Sequence, residues 1–438
     1  MNFKGFVGML TVSILSNICY MVVFPFLPLE FGRYGIKPST FGFIFAMFSA
    51  ASMIGSLLVG KIMIVFGRKI ILLLGIFIMG LCMALFSTIS YLDDPSLVVF
   101  FCLVSRFVQG FTSSMIQTTC YSIISVIYKE KKQQYMGYYE GSQGFGWAIG
   151  PAIGAILYSL FGFHWTFYIL GGSMILTCPL MYIQIPNAIN ENDNLEQSIL
   201  DEEVEEVGKS SPVIKATYSE LFKRKVFTLS AVCACLSYYS YSYFEPVLPT
   251  RLQEFDISTS EILLFFCIDP SGYLALSWTL SFFTDKYDSK IIIVVTIFIC
   301  GLAQFLIGPS TFLPDSLILM GIGQLMNGVS NFFFCVLSLP VMIHDAEERY
   351  PEQKIYAADL SSGVFNFALA LGQTVSPIYG SYMTEIIGFR NVATSIGIFF
   401  IAYSLIYYLS CVVFTTKSNE EIELQESKLD TSQENIKT

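Results

Sequence analysis

Residues 150–163 read GPAIGAILYSLFGF and residues 376–389 read SPIYGSYMTEIIGF. Each run has a proline in second place, a glycine three residues later and a Gly-Phe pair whose glycine falls eleven residues past the proline. Two further pairs repeat in the same order: Pro25-Phe-Leu-Pro28 with Pro246-Val-Leu-Pro249, and Arg106-Phe-Val-Gln109-Gly110 with Gln324-Leu-Met-Asn327-Gly328. The separations of Pro151 from Pro377, Pro25 from Pro246 and Arg106 from Gln324 are nearly the same. One unit is therefore present twice, in parallel orientation.

The unit belongs in a bilayer. Of 438 residues, 54% are hydrophobic and only 13% charged, against roughly a quarter charged in soluble chains. Apolar runs long enough to span occur at 6–29, 39–66, 70–91, 97–127, 135–160 and 163–185, then at 226–250, 259–283, 290–311, 315–343, 357–384 and 389–415. The expected fold is an all-α membrane protein of 12 transmembrane helices in two six-helix pseudo-symmetric bundles, 1–185 and 226–415. An acidic linker (186–225) joins the bundles, and a disordered tail (416–438) follows. Parallel duplication of six helices marks transporters whose halves rock about a site near the midplane. With both termini and the linker in the cytoplasm, 19 of the 24 basic residues lie on that side and only Arg33, Lys37, Arg251 and Arg390 on the other, as the positive-inside rule requires.

Several function classes lose their footing. The net charge of -10 argues against nucleic acid. The eleven cysteines fall in apolar runs without metal spacing, and the two histidines lack a carboxylate constellation, so no metal or cofactor is expected. Without a phosphate loop or nucleophile elbow there is no basis for an enzyme.

These residues resemble the major facilitator superfamily over about 5–415. Its loop signature after span two is matched by Gly60, Gly67, Arg68 and Lys69, with Ile64 in place of the acid; the second copy keeps Asp285, Lys286 and Lys290 without the glycines. Phe24-Pro-Phe-Leu-Pro28, Gly137-Tyr-Tyr-Glu140 through Gly154, and Glu245-Pro-Val-Leu-Pro249 are most similar to the vesicular amine and polyamine transporter group, especially its polyamine branch. The glycine-proline pattern of Gly146, Gly150, Pro151 and Gly154 implies antiport. The monoamine branch carries an acid in span one, where this chain has Asn17.

Ionisable groups at bilayer depth are functional by default. Glu140 shares a helical face with Gly144, Trp147 and Pro151 and is the expected proton and cation site. Arg106 is expected either to tune the charge of that carboxylate or to form a static structural ion pair with it, since a guanidinium cannot itself release a proton. Glu245, whose counterpart in span one is Phe24, and Asp269 beside Pro270 are the other coupling candidates, with a solvated interfacial acid and a helix cap as their bland alternatives. Asn17, Gln109, Gln324, Asn327, Asn366 and Tyr241 are candidates to line the substrate path. Tyr238, Tyr239, Tyr241, Tyr243 and Phe244 read as an interfacial belt in preference to a cation box. Bulk at Gly150 is expected to arrest the cycle and spare the fold.

The expectation is a monomeric secondary transporter in a vesicular, endolysosomal or plasma membrane that exchanges a small organic cation, polyamine-like, for protons. A uniporter or symporter of an uncharged or anionic solute is the alternative. A receptor or scaffold working through linker and tail is the alternative from another class.

Overall fold

The computed structural model describes residues 3–128, 132–185, 217–275, 286–351 and 354–413. Most of the linker, the tail and Asp285 lie outside them. Span one is Phe3–Phe31, span two Pro38–Phe66, span three Arg68–Phe86 and span four Pro95–Ile127. Spans five and six form one helical stretch, Lys132–Gln184, interrupted at Gly162. Its φ of 75° lies in the left-handed region open to glycine at little cost. Gly388, with φ of 79°, makes the equivalent break between span eleven (Lys354–Ile387) and span twelve (Phe389–Tyr407). The two Gly-Phe pairs of the repeat are thus two copies of one corner.

In the second half, span seven is split into Lys225–Ser242 and Leu248–Gln253, and span eight begins as Thr259–Phe265 and Ile268–Ala275. Spans nine and ten are Ser289–Ile307 and Leu317–Arg349. The internal symmetry is imperfect at the paired prolines. Pro25 and Pro28 sit inside a continuous helix, whereas the helix of span seven stops before Pro246 and resumes at Leu248.

Eight of the described helices are each long and apolar enough to cross a bilayer. Their outer faces carry bare apolar side chains such as Leu57, Val65, Leu176 and Ile183, which suit lipid. Because lipid tails are as apolar as leucine, helices in a bilayer associate through close packing, which small residues permit. The crossings show this. A Cβ on Gly110 would lie 2.0 Å from the Phe48 carbonyl, and one on Gly328 would lie 1.9 Å from the Asp269 carbonyl. Phe48 and Asp269 stand at the same offset in sequence as Pro25 and Pro246, so the two crossings are copies of one contact.

Helix parity puts residue 3, residue 413 and the linker boundaries at one end of the bundle, here the linker end; the opposite end is the far end. At the linker end, Tyr218–Leu221 forms a single helical turn whose Leu221 is fully buried among Phe227, Met342 and Ala346. Arg224 grips Asp345 through two hydrogen bonds of 2.6 and 2.8 Å. The last residues of the linker are therefore fastened to spans seven and ten.

Candidate functional site

Between the halves lies a cavity of about 100 Å³. Span one contributes Ser13, Asn17 and Tyr20, span four Gln117, span five Gln143 and Trp147, and the second half closes it with Tyr238 and Gln373. Its lining is polar but uncharged. Trp147 Nε1 donates to Asn17 Oδ1 at 2.6 Å, and the Asn17 amide donates to the Ser13 carbonyl. Gln373 Nε2 donates to the Tyr20 hydroxyl across the seam. Trp147 and Gln373 stand at the offset of Pro151 and Pro377, and Tyr20 and Tyr241 at the offset of Pro25 and Pro246. Each half thus sends one residue of span five or eleven toward a tyrosine of the other half, for Trp147 lies 6.4 Å from Tyr241 between ring centroids.

Arg106 is fully buried behind this layer. Its guanidinium carbon lies 4.7 to 5.7 Å from the ring centroids of Phe48, Phe24, Tyr20 and Phe45, within cation-π range. Nη1 donates to Gln109 Oε1 at 3.1 Å, while Nε and Nη2 have no partner. Gln109 in turn donates to Ser105 Oγ. Tyr20 and Phe48 face both the cavity and the guanidinium, so they stand between them.

The expected pairing of Arg106 with Glu140 is not made. Glu140 is exposed toward the linker end and accepts from the Tyr121 hydroxyl and, at 3.3 Å, from Gln143 Nε2. Tyr121 lies on span four, and sequence spacing alone does not bring the two helices together at that height. Glu245, in span seven, is a buried acid to be weighed against Glu140. Among the described residues, no salt bridge joins Arg106 to either acid.

Glu245 is 1% exposed, so the solvated interfacial alternative fails. One oxygen accepts from Ser242 Oγ at 2.7 Å and the other is unpartnered. It occupies the split in span seven, where backbone irregularity lets the side chain turn inward. Tyr241, Tyr243 and Phe244 are buried beside it. The belt reading is corrected for Tyr241, Tyr243 and Phe244, which are buried, the latter two just past the end of the helix at Ser242, while Tyr238 and Tyr239 are half-buried.

Asp269 is also buried and accepts from Asn327 Nδ2 at 2.9 Å. Asn327 Oδ1 accepts from Gln304 Nε2 at 2.8 Å, and Gln304 Oε1 from the Tyr243 hydroxyl at 2.7 Å. A continuous chain of hydrogen bonds crosses spans seven, nine, ten and eight. Gln324, which replaces Arg106 in the second half, is buried with its carbonyl oxygen unpartnered. The symmetry is chemical as well as geometric. Around Arg106 stand Phe24 and Phe48, while their counterparts at the Pro25-to-Pro246 offset are the acids Glu245 and Asp269.

Other candidates fall away from the cavity. Asn366 is exposed on span eleven without a described hydrogen bond. Gly60 approaches nothing, Gly67 makes the turn into span three with φ of 82°, Arg68 Nε donates to Ser122 Oγ at 2.7 Å, and Lys69 lies over the Tyr182 ring. Lys286 lies over the Tyr287 ring, and the Lys290 amide is capped by Asp288. Gly146 and Gly150 pack on span one, where Cβ atoms would lie 2.7 Å from the Ile14 carbonyl and 2.9 Å from Met21, and Gly154 meets Val22. They hold spans of one half together. Tyr20, Gln373, Tyr121 and Gln143 were missed; only Tyr20 had a signal, as the counterpart of Tyr241.

Similar proteins agree with this architecture. The chain is 25% identical to the mouse MFS-type transporter SLC18B1 over 86% of its length and 80% of that protein, and 24% identical to the human one over 89% and 82%. A D-xylose-proton symporter structure superposes with a TM-score of 0.71 at 12% identity, covering 93% of this chain and 97% of that one. A bacterial homolog of the human lysosomal transporter Spinster, in an inward-facing, unoccupied conformation, gives 0.64 at 13%, with coverage of 93% and 96%. The sequence model of the Major Facilitator Superfamily matches residues 9–354, and the chain belongs to that superfamily of alternating-access transporters.

Proposed function

We propose that the protein exchanges a small organic cation, of the polyamine or amine class, for protons, with its termini and linker on the cytoplasmic side of a vesicular or plasma membrane. The observation that carries this is an imbalance of buried charge. Glu245 and Asp269 lie in the interior and Glu140 accepts from Gln143 of the cavity wall, against the single fully buried base Arg106 among the described residues, and among those residues neither Glu245 nor Asp269 has a salt bridge. Unpaired carboxylates in an apolar surround are expensive, and binding either a proton or a substrate cation relieves the cost. Competition of the two for the same acids is the physical basis of antiport. The aromatic layer of Tyr20, Trp147, Tyr238 and Tyr241 supplies ring faces for the cation's path. The SLC18B1 relatives and the basic residues gathered at the linker end support the same reading.

A second reading, transport of an uncharged solute, is favoured by the neutral hydrogen-bonding lining of the cavity around Asn17, Gln143 and Gln373. Purified protein in proteoliposomes separates the two. Uptake of a labelled diamine that grows with an inside-acid gradient and collapses with a protonophore is the expected result. Gradient-independent flux of sugars or other uncharged solutes would favour the second reading instead.

A further inference from the structure

The far end is closed by two seams that the internal symmetry makes equivalent. Ser39 at the start of span two meets Glu385 at the end of span eleven, and Ser260 at the start of span eight meets Ser159 late in span five. Ser39 and Ser260 share the offset of Pro25 and Pro246, and Ser159 and Glu385 that of Pro151 and Pro377. The chemistry of the two seams differs. Ser159 and Ser260 share a neutral hydroxyl contact of 2.7 Å. Across the other seam, the backbone N–H of Ser39 donates to Glu385 Oε1 at 2.7 Å.

The difference lies in how the two helices are capped. Span eight caps itself: Ser258 accepts from the Glu261 amide and Glu261 accepts from the Ser258 amide, a complete capping box. Their counterparts in the first half, in the register that matches Ser260 to Ser39, are Lys37 and Thr40, and span two makes no side-chain cap of its own. Its cap comes from the other half. The seam is also tightly packed, since a Cβ on Gly42 would lie 2.4 Å from the Pro377 carbonyl and 2.5 Å from Ser381 Oγ. Opening the far end must part spans two and eleven here, and the Ser39 amide then loses its protein partner.

We propose that Glu385 is a latch, a positioning residue that biases the transporter toward the far-end-closed state by capping span two in trans. A carboxylate at a helix N-terminus is stabilising through both the hydrogen bond and the helix dipole. Because this contact is made in one state only, its free energy goes into the balance between states and not only into the fold. The inference rests on alternating access alone and not on proton coupling or the identity of the solute, so it stands or falls separately from the proposed exchange.

The test is the distance between spin labels at Asp93→Cys and Thr311→Cys, exposed far-end sites in opposite halves, in the full chain in lipid nanodiscs, with the chain lacking both substitutions as labelling background. Glu385→Gln should raise the ratio of far-open to far-closed molecules about two- to fivefold, the range for an exposed charge at a helix end. Lys37→Asp installs the cap of span four, where Asp94 ahead of Pro95 accepts from the Ser96 amide, and so gives the Ser39 amide a partner of its own half in both states. On that background Glu385→Gln should leave the ratio unchanged. An unchanged ratio in the native background overturns the latch, and so does an equal shift on the cis-capped one. If Glu385→Gln fails to fold and the cis cap restores folded protein with the parent's ratio, Glu385 is a structural cap only.

Discussion

Arg106 in span four and Glu245 in span seven are both fully buried, and among the described residues no salt bridge joins them: the guanidinium donates to Gln109 Oε1 at 3.1 Å and the carboxylate accepts from Ser242. Tyr20 lies between the cavity and the guanidinium, and the Tyr241 ring near Glu245 is its counterpart in the other half. A rocking motion that changes the separation of spans four and seven changes how readily Glu245 carries a charge, since a nearby guanidinium favours the ionised carboxylate. Arg106→Gln should therefore move the pH at which uptake is half-maximal upward by about one unit. The measurement is initial uptake into proteoliposomes across a pH series. In a Glu245→Gln background the same Arg106→Gln substitution should cause no further movement of the profile, because the group it acts on no longer titrates. Independent, additive changes would place the partner of Arg106 elsewhere.

Glu140 calls for a different test, because its partners are neutral. Tyr121 and Gln143, of which Gln143 lines the cavity, hold the carboxylate. Glu140→Gln should abolish gradient-driven accumulation and leave solute-solute exchange, the amide standing in for the protonated acid. Tyr121→Phe removes one donor to the carboxylate, so it should weaken accumulation by roughly ten- to a hundredfold without abolishing it, a lost hydrogen bond to a charged group amounting to about 1.5–3 kcal/mol. Full accumulation by Glu140→Gln would remove this acid from the coupling set.

The repeat, the twelve spans and the family were legible because they depend on hydropathy and on backbone-critical residues. A glycine at a corner with φ of 75° and one that touches a neighbour's carbonyl leave the same mark in both copies. The partners of the charges were not legible. Hydropathy finds a span but not its rotation, so Phe24, Phe45 and Phe48 looked like generic apolar residues until two spans placed them around Arg106. The split of span seven was hidden for a related reason. Prolines at the same offset leave span one continuous, so the motif alone does not forecast the break that turns Glu245 inward.

Asn327 is the hydrogen-bond donor to Asp269. Asn327→Leu should strip a buried carboxylate of that partner, costing about 1–3 kcal/mol and lowering the unfolding midpoint in detergent by several degrees. Asp269→Asn in the same chain should recover much of the loss, since a buried amide is cheaper to leave unpaired than a carboxylate. If the midpoint is unmoved by Asn327→Leu, the chain of hydrogen bonds from Tyr243 to Asp269 contributes nothing to the fold.

Orientation is tested by labelling. An epitope inserted near residue 200 should be reached only after permeabilising cells, because 19 of the 24 basic residues share the side of the linker. Tag accessibility in intact cells, or from within isolated vesicles, would invert the assignment of the two ends.

The glycines of span five separate folding from cycling. A Cβ on Gly150 would lie 2.9 Å from Met21 and 3.3 Å from the backbone of Ile18, both in span one of the same half. Leucine there must push apart two helices that travel together, so the earlier expectation of an arrested cycle with an intact fold is replaced: Gly150→Leu should reduce folded protein in the membrane, overpacking of this kind costing about 1–3 kcal/mol. Gly144 stands nearer the linker end and faces the other half, where its Cβ would meet only the flexible end of Leu274 at 3.4 Å. Bulk at Gly144 presses on a contact between the moving bodies and not within one. Gly144→Leu should reach the membrane in normal amount and slow exchange, and Leu274→Ala should restore the rate by making room. Quantitative blots of membrane fractions beside initial uptake rates distinguish the two sites, and a Gly144→Leu defect that Leu274→Ala leaves untouched would show that this contact does not limit the cycle.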